Sequence, residues 1–268
     1  MGLYHGAAGI EHLERLAQGH SPIHRLHAGA KIIVTVVYTV TVISFPPENI
    51  SGMAAFVLYP AVLMPLSETS WRSLLARLFA ALPFAMLGGL SGLINLPETS
   101  FYAGGIAVSR GMAAFASIML RTALSVFAVL ILIATTPFTA INQQFVKFGF
   151  PKIIVLQFVM TYRYISVLIH EAASMFSAYT LRSPRARGIL MRDMGSFLGQ
   201  LMLRSFDRAE RVYAAMKCRG FDGMYRGGIQ HPFGPADFCY TAVLSAAIIA
   251  LRFFNISLFL GRLTGKTG

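Results

Sequence analysis

Acidic side chains are scarce in this chain: 11 Asp and Glu stand against 23 Lys and Arg, and only 13% of its 268 residues are charged. A soluble domain carries about a quarter, so an ordinary water-soluble surface is excluded. Cysteine is nearly absent too. Cys218 and Cys239 form no Cys-x-x-Cys pair, which gives thiolate zinc and redox centres no support. There is no Gly-x-x-x-x-Gly-Lys-Ser/Thr loop to cradle a phosphate, so the chain is not itself an ATPase. No nucleophile elbow is present, and His170-Glu171 lacks the second histidine of a His-Glu-x-x-His motif. Without convergent acid and base residues, a membrane-embedded enzyme is the weakest reading.

What the chain has in quantity is apolar side chains, 55% of the total, with a mean hydropathy of +0.61. It reads as an integral membrane protein. Its apolar runs are continuous rather than alternating, so its fold class is all-α, a polytopic helical protein and not a barrel. The net charge of +12 fits positive-inside topology better than nucleic acid, because the basic residues lie between or after apolar runs. The first 27 residues are polar and lack a secretory h-region, so insertion is expected to rely on the first spanning helix.

Five spans are expected. They are "GAKIIVTVVYTVTVISF" at 29–45, "GMAAFVLYPAVLMPL" at 52–66 with Pro60 and Pro65, "LFAALPFAMLGGLSGLINL" at 78–96, "GMAAFASIMLRTALSVFAVLILIATT" at 111–136, and a last one from about Asp237. In the third, Gly88, Gly89, Ser91 and Gly92 make a small-residue face suited to close helix approach. The loop at 46–51 has no Lys or Arg and the loop at 97–110 only Arg110, whereas Arg15, Arg25, Arg72 and Arg77 mark the opposite side. The N-terminus is therefore expected in the cytoplasm. The expected organisation is an N-terminal segment at 1–28, four spans in 29–136, a cytoplasmic module at 137–235, and the last span with an external tail at 236–268.

That module holds thirteen basic residues against five acidic ones, a net charge of +8. It also carries apolar stretches at helical periodicity, "PKIIVLQFVMTYRYISVLI" and "MGSFLGQLMLRSF". These read as amphipathic helices too charged to span, lying at the cytoplasmic face toward a partner or anionic lipid. Within the module "AASMFSAYTLRS" at 172–183 aligns with "AERVYAAMKCRG" at 209–220, an offset of 37. Ala178 meets Ala215, Arg182 meets Arg219, and Ser183 meets Gly220. Ala and Arg four apart share a helix face. Gly220, and Ser183 before Pro184, are placed to stop their helices. Each Arg then sits at a helix C-terminus, where positive charge is favoured and a guanidinium can clamp a carboxylate. Arg187 in "PRARG" is the alternative first arginine.

On these residues the chain resembles the transmembrane energy-coupling component, CbiQ, of cobalt-type energy-coupling-factor ABC transporters. The resemblance covers nearly the whole chain and rests on "SPIHRLHAGAKI" at 21–32, "MTYRYISVLIHEAASMFSAYTLRS" at 160–183 and "LMLRSFDRAERVYAAMKCRGFDG" at 201–223. It implies a non-catalytic scaffold in a bacterial inner membrane. Two coupling helices would insert into two ABC ATPase subunits and pass their motion to a substrate-specific membrane subunit, with a small accessory membrane subunit in some assemblies. Carried over, Ala178, Arg182 and Ser183 form the first coupling motif, and Ala215, Arg219 and Gly220 the second. Cobalt uptake, supplying cobalamin biosynthesis, is implied by resemblance alone; nickel or a vitamin stay open. No cofactor and no resident metal are expected. His20, His24 and His27 have helical spacing but no carboxylate or thiolate beside them. Arg121, inside the fourth span, supports an alternative: a self-sufficient secondary transporter with a midplane site. Tyr162 to Ile165 and Glu171 are expected to brace the coupling helices.

Overall fold

A computed structural model describes residues 19, 21–45, 50–67, 71–95, 100–103, 106–183, 188–223 and 233–253. They fall into two compact units, one within 139–230 and the other within 15–138 and 231–268.

The second unit begins with α1 (Pro22–Arg25) and α2 (Ala28–Ile43), then α3 (Ile50–Ala54), a 3-10 turn (Ala55–Val57) and α4 (Leu58–Leu66). The long α5 (Trp71–Asn95) and α6 (Arg110–Thr135) follow, and α10 (Pro235–Phe253) closes the unit. A short antiparallel ribbon joins α5 to α6: β1 (Ser100–Ala103) pairs with β2 (Ile106–Ser109), Ser100 opposite Ser109 and Ala103 opposite Ile106. This ribbon holds the only strands among the described residues, in the stretch read from sequence as a loop.

The centre of the unit is α2. One face puts Val34, Tyr38 and Val42 against Phe56, Leu124, Ala128 and Ile248, while Val36, Val40 and Ile43 point outward. Between lipid-facing helices the hydrophobic effect gives little drive, so close packing and polar contacts carry the association. Tyr38 supplies both: its ring stacks on Tyr59 with centroids 4.3 Å apart, and its hydroxyl donates to the Phe56 carbonyl at 2.9 Å. Of the expected small-residue face, Gly89 makes the close approach. A Cβ there would sit 2.7 Å from Cδ2 of Phe115 on α6, whereas one on Gly88 would meet nothing within 4 Å. The surroundings of Ser91 and Gly92 lie outside the described residues.

The other unit contains α7 (Phe138–Lys147), α8 (Lys152–Arg182) and α9 (Met191–Cys218). Gly149, at φ +89°, ends α7: the Phe150 N–H returns to the Phe145 carbonyl at 3.0 Å, the two rings meet edge to face, and Pro151 opens α8.

One sequence expectation changes, and another, the five-span count, is met only in its coarser form of several apolar helices. Three described helices are long and apolar enough to cross a membrane, Gly111–Thr135, Lys152–Arg182 and Pro235–Phe253, while Ala28–Ile43, Gly52–Leu66 and Leu74–Leu90 are shorter apolar helices. The five-span count is thus not what helix length gives. The reading of 152–182 as too charged to span is corrected. Lys152 and Arg182 stand at its two ends, so the 18 residues from Ile153 to His170 hold a single charge, Arg163. For α9 the reading stands: it carries eight charged residues, at 192–193 and from 204 to 217, and has no buried residue.

Candidate coupling site

The two arginine motifs lie on α8 and α9, which run antiparallel. Contacts in three places fix the register. Tyr179 donates its hydroxyl proton to Asp193 Oδ2 at 2.8 Å, Arg204 pairs with Glu171, and Arg208 lies over the Tyr164 ring 5.9 Å from its centroid. Beyond these, Ile153 and Leu156 share an apolar cleft with Met216 and Phe221, and Ala178 and Arg182 share a more polar one with Asp193 and Ser196. Glu171 and Tyr164 thus brace the helix pair. Both members of the Glu171–Arg204 pair are substantially exposed, so it aligns the helices more than it stabilises them.

Antiparallel pairing has a direct geometric result. Arg182, last residue of α8, is level with the start of α9, and Arg219, capping α9, is level with the start of α8. The motifs stand at opposite ends of the pair, on the order of 40 Å apart at 1.5 Å per residue. Ala178, Arg182, Ala215, Arg219 and Gly220 are all exposed, and Ser183 is half-buried. Among the described residues neither the Arg182 nor the Arg219 guanidinium has a hydrogen-bond or ion-pair partner.

The two helix ends are built differently. At Gly220, with φ +77°, the Gly220 N–H reaches the Lys217 carbonyl at 2.9 Å and the Phe221 N–H reaches the Met216 carbonyl at 3.0 Å. This is a Schellman end, with Phe221 and Met216 in one cleft as its hydrophobic contact. At the first motif Ser183 has φ −126° and its N–H turns back to the Tyr179 carbonyl at 3.0 Å. Serine therefore stops the helix without the left-handed turn, so both helices end where the sequence places their stops, by different geometry. Leu181 (84% exposed) and Met191 (87% exposed) flank this end with bare apolar surface. The alternative arginine, Arg187, lies outside the described residues.

Other residues singled out from sequence have local tasks. His27 caps the N-terminus of α2, its Nδ1 accepting from the Gly29 N–H at 3.1 Å. The His24 ring bonds to Ser21 Oγ at 2.7 Å. Among the described residues no group of three or more His, Cys, Asp or Glu side chains is placed to hold a metal ion, and His20 lies outside them. Arg121 donates from Nη2 to the Phe45 carbonyl at 2.8 Å, just past the end of α2, and Arg252 donates to the neighbouring Ser44 carbonyl at 3.1 Å. Both guanidiniums therefore satisfy carbonyls at a helix C-terminus, while Arg121 Nε is buried without a hydrogen-bond partner among the described residues. Sequence reasoning missed Lys31 and Asp237, although a charge in the first turn of each apolar helix was a visible signal.

The family model described as CbiQ, cobalt transport protein, matches residues 19–230. The energy-coupling factor transporter transmembrane protein EcfT of Bacillus selenitireducens is 26% identical over 263 residues, spanning 88% of this chain and 95% of that one. An uncharacterized protein of Methanocaldococcus jannaschii is 29% identical over 99 residues, covering 36% of this chain and 34% of its own length.

Proposed function

This chain belongs to the CbiQ family of cobalt transport proteins, as a multi-pass membrane component of an energy-coupling transporter, and from that premise we propose that it transmits the ATPase stroke through Arg182 and Arg219. Each guanidinium enters a groove on one of two ABC ATPase subunits, and the α8–α9 pair passes the motion to a separate membrane subunit that binds the substrate, Co2+. The observation that carries this is the pair of exposed, unpartnered guanidiniums at opposite ends of one braced helix pair, each preceded by an exposed alanine four residues earlier. Two such ends suit two docking subunits. The bare apolar surface of Leu181 and Met191 beside Arg182 suits insertion into a groove.

The module stands outside the hydrocarbon, with the N-terminus in the cytoplasm. Although α8 alone is apolar enough to cross, α9 lies beside it along its length and carries Arg192, Asp193, Arg204, Asp207, Arg208, Glu210, Arg211 and Lys217. At roughly 2.5–3.5 kcal/mol for each charge at mid-bilayer, such a pair belongs in the aqueous or interfacial phase. A desolvated Arg–carboxylate contact costs about 2–5 kcal/mol when one partner is truncated. The double variant Arg182→Ala/Arg219→Ala is therefore expected to insert and fold but to lose co-purification with its ATPases and ATP-driven Co2+ uptake. Uptake at the wild-type rate by that variant would refute the mechanism.

A further inference from the structure

Three helix ends meet at one buried polar knot in the unit that holds α2, α6 and α10. Lys31, in the first turn of α2 and only 3% exposed, donates from Nζ to the Thr135 carbonyl at 2.8 Å, the last residue of α6. Asp237, in the first turn of α10 and 8% exposed, accepts through Oδ2 from the Gly234 N–H at 2.9 Å. Its Oδ1 accepts from the His27 N–H at 2.7 Å, at the start of α2. The His27 ring stands edge-on to Phe233, with centroids 5.3 Å apart, and Asp237 attracts the Lys31 ammonium across the knot.

The charges match the helix ends they touch. A helix N-terminus presents about half a positive charge and unpaired N–H groups, and a C-terminus the reverse. The carboxylate of Asp237 serves two N-termini, those of α2 and α10. The ammonium of Lys31 serves the C-terminus of α6. All three helices are thereby held at one point by two side chains, in surroundings too buried for water to substitute.

The place of this knot in the chain matters more than its bonds. Residues 139–230 form the other compact unit, and the chain leaves for it just after Thr135 and is back by Gly234. Both attachment points are tied to the same first turn of α2. We propose that Lys31 and Asp237 are positioning residues for energy coupling: they clamp the two attachment points of the coupling module to one base, so that force on the module moves the bundle instead of separating its own two ends. This rests on the coupling role proposed above.

The test uses the full chain assembled with its ATPases and substrate subunit in proteoliposomes, reading ATP hydrolysis, Co2+ uptake and Tm on the same preparations. Lys31→Met or Asp237→Asn alone leaves a buried charge without its counter-charge and is expected to lower Tm. The double variant Lys31→Met/Asp237→Asn removes both charges while Asn keeps one acceptor, and is expected to assemble with Tm near wild type. Under the proposal it hydrolyses ATP within about twofold of wild type, while Co2+ transported per ATP falls at least tenfold. Unchanged transport per ATP in the double variant overturns the proposal, as does parallel loss of assembly, hydrolysis and uptake, which marks a merely structural knot. A wild-type complex that assembles no ATPase overturns the coupling role itself, and this proposal with it.

Discussion

Two neighbouring glycines on α5 offer a controlled comparison. Gly89 faces the Phe115 ring with no room for a Cβ, while Gly88 faces open space. Gly89→Ala is expected to cost about 1–3 kcal/mol through overpacking, and Gly88→Ala to be neutral or slightly stabilising, because alanine is the better helix former by about 1 kcal/mol. Thermal melts of the two variants in detergent check this; equal Tm values would mean that α5 and α6 do not approach as described. At Gly220 backbone conformation matters more than space. With φ +77° and nothing near its Cβ position, Gly220→Ala is expected to lose about 1 kcal/mol and to blunt ATPase binding by re-aiming Arg219, whereas Gly220→Asn, which tolerates that conformation, retains more of both. Binding to immobilised ATPase subunits gives the readout.

At the scale of elements, α2 spans only 16 residues, about 24 Å of rise, and its C-terminal end is finished by arginines from two other helices. Arg121→Gln is therefore expected to lower Tm while leaving transport per ATP within about twofold; abolished transport in a well-folded Arg121→Gln protein would instead revive a substrate site inside the bundle. Much of this level was legible in sequence. The apolar runs at 29–45, 52–66, 78–96 and 111–136 each fall on described helices, and the offset repeat falls on the C-terminal ends of α8 and α9. What was not legible depends on partners distant in sequence. Arg121 looked like a stranded intramembrane charge because Phe45, whose carbonyl it satisfies, lies 76 residues away. Lys31 and Asp237 escaped notice for the same reason, their bonds running to Thr135 and His27. The misjudged α8 is a matter of averaging: Lys152 and Arg182 stand at its ends and only Arg163 and Glu171 lie between them, a spacing that a count over the whole module hides.

For the molecule as a whole, sidedness is the property to measure. Cys218 ends α9 and is exposed, one residue before Arg219, to which the coupling role is proposed. In a Cys239→Ala background, a membrane-impermeant maleimide is expected to label Cys218 in inside-out vesicles and not in right-side-out ones. Labelling from the outside would invert the assignment of the coupling module to the cytoplasm. Bound ATPase subunits are expected to protect the same thiol, which ties the topology test to the docking geometry.

The opposite placement of Arg182 and Arg219 on one antiparallel pair determines what kind of motion the pair can accept. Equal displacements applied at both ends in the same direction merely carry a rod along. Displacements of opposite sense, as when two bodies close toward each other from either side, form a couple and turn it about its middle, near Glu171 and Arg204. A crossbar gripped at its two tips turns only when the two grips are displaced in opposite senses across its length; displacements along its length compress it.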